Sequence, residues 1–175
     1  MPTTLTTKKQ MRKIERKKLE MRERLWGKIE PENLWEGDAD KPGWLLVPRA
    51  MPLILRIMDD LSNGKPVSSV YLDLWFRTFN NDAYVVTNKQ QEMAFSAGFG
   101  GQRAVRTWRD RVKILADLGF IDIKEGPSGP ISYVLIWNPY KVIKRHYENK
   151  TPGLQEAAYN ALMERVIEIG ASDLD

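Results

Sequence analysis

Apolar residues recur along the chain at two spacings, and the spacing predicts which segments form helices and which form strands. Spacings of three and four residues are typical of helices, whereas short β-branched or aromatic runs between turn residues are typical of strands. In chain order, the predicted elements are helices over 49–62 and 68–79, a strand over 83–86, a short helix over 89–97, a long helix over 102–118, strands over 120–124 and 131–137, a short helix or turn over 140–149, and a last helix that ends near 169. This order predicts an α+β fold that is mostly helical and carries one small β-hairpin.

Capping and turn residues mark where several of these elements begin and end. Ser68 is the predicted N-cap of the second helix, and Thr87 or Asn88 is the predicted N-cap of the short helix that follows the first strand. Thr151-Pro152 is predicted to start the last helix. The glycine- and proline-rich segment 126–130 is the predicted turn of the hairpin.

The composition excludes several classes of chemistry. The chain has 175 residues, which fits one domain with helical extensions, and it has no cysteine, so it contains no disulfide, thiolate nucleophile or iron–sulfur site. Its single histidine, His146, is predicted to be a packing or surface residue, since a multi-histidine metal site needs more than one. Asp59 and Asp60 are adjacent on a predicted helix and point apart, which argues against a metal or acid–base pair. We therefore expect a non-enzymatic protein without a cofactor.

Hydropathy along the chain bears on its location. No apolar run approaches the roughly 20 residues that a membrane-spanning helix needs. The N-terminal segment is polar and then basic, without the apolar stretch of a secretory signal. These features predict a cytoplasmic protein with no membrane partner.

Positive charge is concentrated near the N-terminus. The formal net charge is +4, but residues 8–28 hold ten basic and three acidic residues, so the remainder of the chain carries −3. Apolar residues at heptad-like spacing predict that 1–30 form a basic helical arm, joined by a polar linker over 31–43 to the rest of the chain. The arm is interpreted either as a solvated charged helix or as a segment that lies along phosphates. In the second interpretation, the contacts include Lys13, Arg16 and Lys17.

The long helix over 102–118 has two chemically different sides. Its apolar positions share one side and are predicted to be core: Val105, Trp108, Val112, Leu115 and Leu118. Its other side presents a guanidinium, ammonium or amide group at almost every turn: Gln102, Arg106, Arg109 and Lys113, with Arg103 and Asp110 beside them. Guanidinium and amide groups match the hydrogen-bonding edges of bases, and guanidinium and ammonium groups bind phosphates. This side is therefore a candidate nucleic-acid surface, although an isolated helix of this kind is more often simply solvated.

The element order resembles that of the winged helix-turn-helix superfamily. The resemblance covers about 87–137 and rests on Ala94 four residues before Gly98, on the glycine turn 98–101, and on Leu118-Gly119-Phe120-Ile121, which joins the long helix to the hairpin. The glycine turn is one residue longer than in the tightest helix-turn-helix form. More loosely, residues 43–139 resemble small winged-helix proteins of plasmids, phages and integrative elements, including replication-initiator-like ones.

The resemblance implies a winged-helix domain over 44–149 and double-stranded DNA as the partner. In helix-turn-helix docking, the N-terminal residues of the second helix reach base edges. Gln102, Arg103 and Arg106 are accordingly placed at bases, and Arg109 and Lys113 nearer to phosphates. Additional contacts are assigned to Lys89 before the short helix, and to Lys124 and Ser128 in the wing.

Two functions remain open on this basis. The first is sequence-specific binding of double-stranded DNA, as a transcriptional regulator or as a replication or maintenance protein of a mobile element. The alternative is a winged-helix protein-interaction adaptor that binds no nucleic acid, which the −3 charge outside the arm and the weakly basic wing tip favour. The last segment, 150–175, is predicted to be a helix whose wide apolar side either covers the domain or forms a homodimer.

Overall fold

The computed structural model describes residues 4–34, 43–79 and 82–172 and divides the chain into two compact units, Met1–Trp44 and Leu45–Asp175. The first unit contains α1 (Thr4–Trp26) and a 3-10 turn (Pro31–Asn33). The second contains α2 (Met51–Leu61), α3 (Ser68–Phe76), β1 (Tyr84–Val86), α4 (Gln90–Ser96), α5 (Ala104–Asp117), β2 (Ile121–Gly126), β3 (Gly129–Ile136), α6 (Pro139–Glu148) and α7 (Glu156–Ile169). The predicted α+β class and the order of elements are confirmed.

The first unit is dominated by one long helix with little buried surface. From residue 12 onward nearly every side chain of α1 is exposed, including the apolar side chains of Ile14, Leu25 and Trp26. The helix ends at Trp26, because Gly27 adopts a left-handed conformation with a φ of 72°.

The second unit packs its helices on one side of a three-stranded antiparallel sheet with the order β1-β3-β2. Val85 of β1 and Ile123 of β2 both pair with Val134 of β3 in the central register. Val85 and Val134 are buried in the core, whereas on the outer face the ring of Tyr84 stacks on that of Tyr133 with centroids 6.1 Å apart. The sheet therefore has one core side and one solvent side, which explains the alternating burial of β3.

The predicted N-caps of α3 and α4 are wrong, because α3 is capped by a residue outside the helix and α4 has no side-chain cap. The start of α3 is capped by the Asp59 carboxylate, which accepts hydrogen bonds from the backbone of Val67 (2.7 Å), the backbone of Ser68 (2.8 Å) and the Ser68 hydroxyl (2.7 Å). Thr87 does not cap α4 either, since its hydroxyl donates to the Ile131 carbonyl at 2.6 Å. Lys89 is the N-cap residue of α4, without a side-chain cap.

Other differences concern the ends of elements. The last helix begins at Glu156 rather than at Thr151-Pro152, which form a turn instead. The second helix was predicted to extend to Phe79, but this residue lies beyond the end of α3 and is 75% exposed. The last predicted strand was expected to end at Trp137, but this residue follows β3 and is half-exposed. Residues at the ends of an apolar pattern thus project into solvent even though the pattern itself is correct.

Glycines in the left-handed conformation determine where α4 and α5 end. At the end of α4, the Gly98 amide donates to the Phe95 carbonyl and the Phe99 amide donates to the Ala94 carbonyl. The same pair of bonds recurs at the end of α5, where Gly119 donates to Ala116 and Phe120 donates to Leu115. This arrangement satisfies the last carbonyls of each helix and turns the chain sharply.

The C-terminal helix α7 covers α2. Leu162 is fully buried, Val166 and Ala158 are nearly so, and the backbone at Gly153 lies against that of Asp60. The apolar side from which a homodimer was predicted is therefore largely occupied within the same chain.

The two helix-ending glycines allow a stability test with an internal control. Gly98→Ala and Gly119→Ala should each lower the free energy of unfolding by about 1–2 kcal/mol, because an L-residue is strained at a φ of +93° or +80°. The two losses should be similar, since the methyl group at position 119 would meet only the end of the flexible Arg145 side chain and the one at position 98 would meet open space. Gly100→Ala is the control: its φ is ordinary and its Cβ would meet open space. Urea denaturation measures all three, and a Gly98→Ala protein as stable as Gly100→Ala would contradict the assignment.

Candidate nucleic-acid interface

The long helix α5 buries the side that its apolar spacing predicts. Trp108, Val112 and Leu115 are each 0% exposed, while Val105 and Leu118 are partly buried and pack against the core. The predicted core side of this helix is thus confirmed, with its two ends less deeply buried than its middle.

The opposite side of α5 is exposed and cationic. Arg106, Arg109 and Lys113 all lie on this side and are exposed to solvent. The helix begins at Ala104, two residues later than predicted, so Gln102 and Arg103 belong to the turn that precedes it rather than to the helix itself. Both are exposed. The structure therefore brings Arg106, Arg109 and Lys113 to one side of α5, with Gln102 and Arg103 in the turn immediately before it.

The N-terminal end of α5 is electropositive. Its first turn contains no acidic residue, no side chain caps it, and Arg103 occupies the N-cap position. Arg106 also lies in this turn, near the unpaired backbone amides that make a helix N-terminus partially positive. Two cations at this end destabilise the helix slightly, and a bound anion would relieve that repulsion.

Most cations of this side have no intramolecular partner. In the part of the chain that the structure describes, no carboxylate or hydrogen-bonding group pairs with Arg103, Arg106 or Lys113. Asp110 is exposed on the same helix but forms no ion pair with Arg106. The charges are therefore available to a ligand without the loss of an existing contact.

Arg109 differs from its neighbours because it is held in place. Its Nε donates to the side-chain oxygen of Gln90, the first residue of α4, at 2.7 Å. Gln90 is buried, and its amide nitrogen donates to the Ile131 carbonyl of β3, also at 2.7 Å. One side chain thus joins α4, α5 and the sheet.

The remaining predicted contacts around this unit are weaker candidates. Lys89 pairs with Glu92 at 3.8 Å, and Lys124 of β2 pairs with Asp122 at 3.3 Å. Ser128 lies half-buried in the hairpin turn, where its backbone amide donates to the Ser132 hydroxyl at 2.9 Å. Both lysines stay well exposed, so these pairs are weak and can rearrange.

The three predicted arm contacts lie on α1 in the first unit. Lys13, Arg16 and Lys17 are exposed, and Arg16 forms a surface pair with Glu20 at 3.5 Å. Lys13 and Lys17, about one turn apart on α1, have no ion-pair partner among the described residues.

Sequence reasoning missed several polar residues that hold the framework of this interface. The His146 Nε2 donates to the Leu118 carbonyl at the end of α5 (2.7 Å), and its Nδ1 lies 3.0 Å from the Thr151 hydroxyl. A carbonyl only accepts, so the proton of the neutral ring belongs on Nε2. His146 is therefore a packing residue, as expected, and it also caps the helix. Its role depends on a contact 28 residues away, which no local pattern reveals.

Arg77 was likewise not singled out from the sequence. It links α3 to α4 through Asp73 (2.8 Å), the Ser96 hydroxyl (2.9 Å) and Glu92 (3.5 Å). The hydrogen bond to the Asp73 carboxylate raises the pKa of Arg77 above its usual value. This guanidinium is committed to the helix–helix contact and is not a candidate for ligand binding.

Comparison with known proteins adds no assignment. Neither a protein-family model, nor a curated protein, nor a solved structure matches the chain. Within residues 4–34, 43–79 and 82–172, no group of three potential metal ligands comes together, and no helix is long and apolar enough to span a membrane.

Proposed function

We propose that this protein binds double-stranded DNA in a sequence-specific manner through α5, as a transcriptional regulator or a replication or maintenance protein of a mobile element. In this proposal residues 44–149 form a winged helix-turn-helix domain in the cytoplasm, with α4 and α5 as the two helices of the motif and β2-β3 as the wing. The observation that carries the proposal is the exposed cationic side of α5, whose charges are mostly unpaired and whose opposite side is rigidly buried.

The diameter of α5 suits a DNA groove, since an α-helix with its side chains is about 10–12 Å across. The major groove of B-DNA is about 12 Å wide and admits an α-helix. Gln102, Arg103 and Arg106 at the N-terminal end then approach base edges, while Arg109 and Lys113 approach phosphates where the helix leaves the groove.

The wing and the arm contribute differently in this proposal. Lys124 is already paired with Asp122, and the hairpin tip carries no other cation, so the wing adds little affinity. The arm adds sequence-independent affinity through Lys13, Arg16 and Lys17, because phosphate contacts release condensed counterions whatever the base sequence.

A second candidate function is a protein-interaction adaptor that binds no nucleic acid. The observation in its favour is the exposure of large apolar side chains outside α5, notably Phe95 (79%) and Phe79 (75%). A homodimer through 153–169 also stays a prediction. Its contact would have to use exposed residues such as Ile167, because Leu162 and Val166 are buried in the monomer.

A salt titration with single-residue variants tests the DNA proposal. The wild-type protein should bind random duplex DNA with an affinity that falls steeply with salt, and selection from random oligonucleotides should yield a preferred site. On that site, Arg106→Ala should cost about 1–3 kcal/mol of binding free energy and relax the preference at one base position. Lys113→Ala should weaken all sequences equally and reduce the salt slope by about one.

The controls for this experiment come from the same helix. Removing Arg106 also removes a cation from the positive end of α5, so Arg106→Ala should stabilise the unbound protein by about 0.3–1 kcal/mol while it weakens binding. Trp108→Ala should cost about 3–5 kcal/mol of stability and lose binding only through unfolding. Absence of binding by the wild type at low salt would favour the adaptor instead.

Deletion of residues 1–28 tests the arm separately. The truncated protein should remain folded, since the core lies entirely within Leu45–Asp175. It should bind every duplex more weakly than the full chain and with a flatter salt dependence, because phosphate contacts are lost. Unchanged affinity and salt slope would show that the arm is only a solvated extension.

A further inference from the structure

The side chain of Gln90 is buried although it is polar. It begins α4 and is only 8% exposed. A buried amide is costly unless its donor and acceptor are both paired. Both are paired here, the nitrogen with the Ile131 carbonyl and the oxygen with Nε of Arg109, each at 2.7 Å.

The chemistry of the two partners leaves one arrangement for this amide. The Ile131 carbonyl can only accept a hydrogen bond, and the Arg109 Nε can only donate one. The group between them must therefore donate on one side and accept on the other. A carboxylate or an apolar side chain at position 90 would satisfy one partner at most.

This contact acts on Arg109 in a specific way. The guanidinium is planar and rigid, so a bond at Nε fixes the plane of the whole group and leaves Nη1 and Nη2 for another ligand. Arg106 and Lys113, by contrast, have no such partner among the described residues. Arg109 is thus the pre-oriented cation on the exposed side of α5.

We propose that Gln90 is a positioning residue that holds the Arg109 guanidinium ready for a DNA backbone phosphate. This inference rests on the proposed function, and it specifies how one of its contacts is prepared. A long side chain that is already ordered loses less conformational freedom when it binds, so pre-orientation increases affinity without adding a contact. The same link ties the helix that bears Arg109 to the backbone of β3, the second strand of the wing.

The chain offers a matched control for testing this role. Thr87 donates to the same Ile131 carbonyl, at 2.6 Å, and is fully buried, but none of its hydrogen bonds involves Arg109. Gln90→Met and Thr87→Val each remove one side-chain hydrogen bond to that carbonyl while keeping the volume of the side chain similar. Only Gln90→Met releases Arg109.

Binding to a random duplex pool is measured at one salt concentration for these variants in two backgrounds. Gln90→Met should weaken binding about two- to tenfold in the wild-type background. Thr87→Val should leave the affinity of the folded protein unchanged. In an Arg109→Ala background, Gln90→Met should have no further effect, because the group that it positions is gone. Equal losses for Gln90→Met and Thr87→Val, or an undiminished loss in the Arg109→Ala background, would overturn the proposal.

A second measurement follows the Arg109 side chain directly in the unbound protein. In the wild-type protein, the Nε–H resonance of Arg109 should exchange slowly with water in NMR spectra, and Gln90→Met should accelerate that exchange whereas Thr87→Val should not. If the wild-type protein binds DNA but its Arg109 Nε–H exchanges rapidly, the positioning role is overturned and the proposed function is not. A protected Nε–H in a wild type that binds no DNA overturns the proposed function, and the phosphate role of Arg109 with it.

Discussion

Trp108 lies in the second turn of α5 and is the largest fully buried side chain among the described residues. Its indole N–H has no hydrogen-bond partner among the described residues, so the ring is held in place by packing. Truncation of a buried tryptophan costs about 3–5 kcal/mol. Because Trp108, Val112 and Leu115 all face inward, the rotation of α5 about its own axis is determined. On its other side, Arg106 and Lys113 therefore face solvent or a ligand, and Arg109 is held by Gln90.

The order of elements could be predicted from the sequence because it depends on local periodicity. The spacing of Val105, Trp108 and Val112 separates the two sides of α5 without any knowledge of what covers them. Element ends were less predictable. The cap of α3 comes from Asp59, nine residues before Ser68, and the hydroxyl of Thr87 goes to a carbonyl 44 residues away. Such long-range hydrogen bonds compete with local helix caps, and the tertiary fold determines which of them form.

In the candidate site too, features that depend on local spacing could be predicted, whereas contacts between distant segments could not. Its cations could be identified from the sequence, since they are the residues that the core excludes. The link between Gln90 and Arg109 could not, because the two residues are 19 positions apart and Gln90 reads locally as part of a capping box. His146 at the end of α5 is a further example, as it caps a helix through a contact between segments that no sequence pattern connects. The positions of charged residues can thus be predicted from a sequence, whereas the orientation of their side chains cannot.

The packing of α7 on α2 has a consequence for how the chain is made. Leu61 of α2 and Leu162 of α7 are both buried, yet about 100 residues separate them. At a synthesis rate of about 5–20 residues per second, α2 leaves the ribosome roughly 5–20 s before α7 can cover it. During that interval its apolar side must be shielded by the growing chain itself or by a chaperone. Translational pausing after the hairpin would therefore lengthen the exposure of an aggregation-prone surface, and the yield of folded protein should be sensitive to the speed at which the residues after the hairpin are translated.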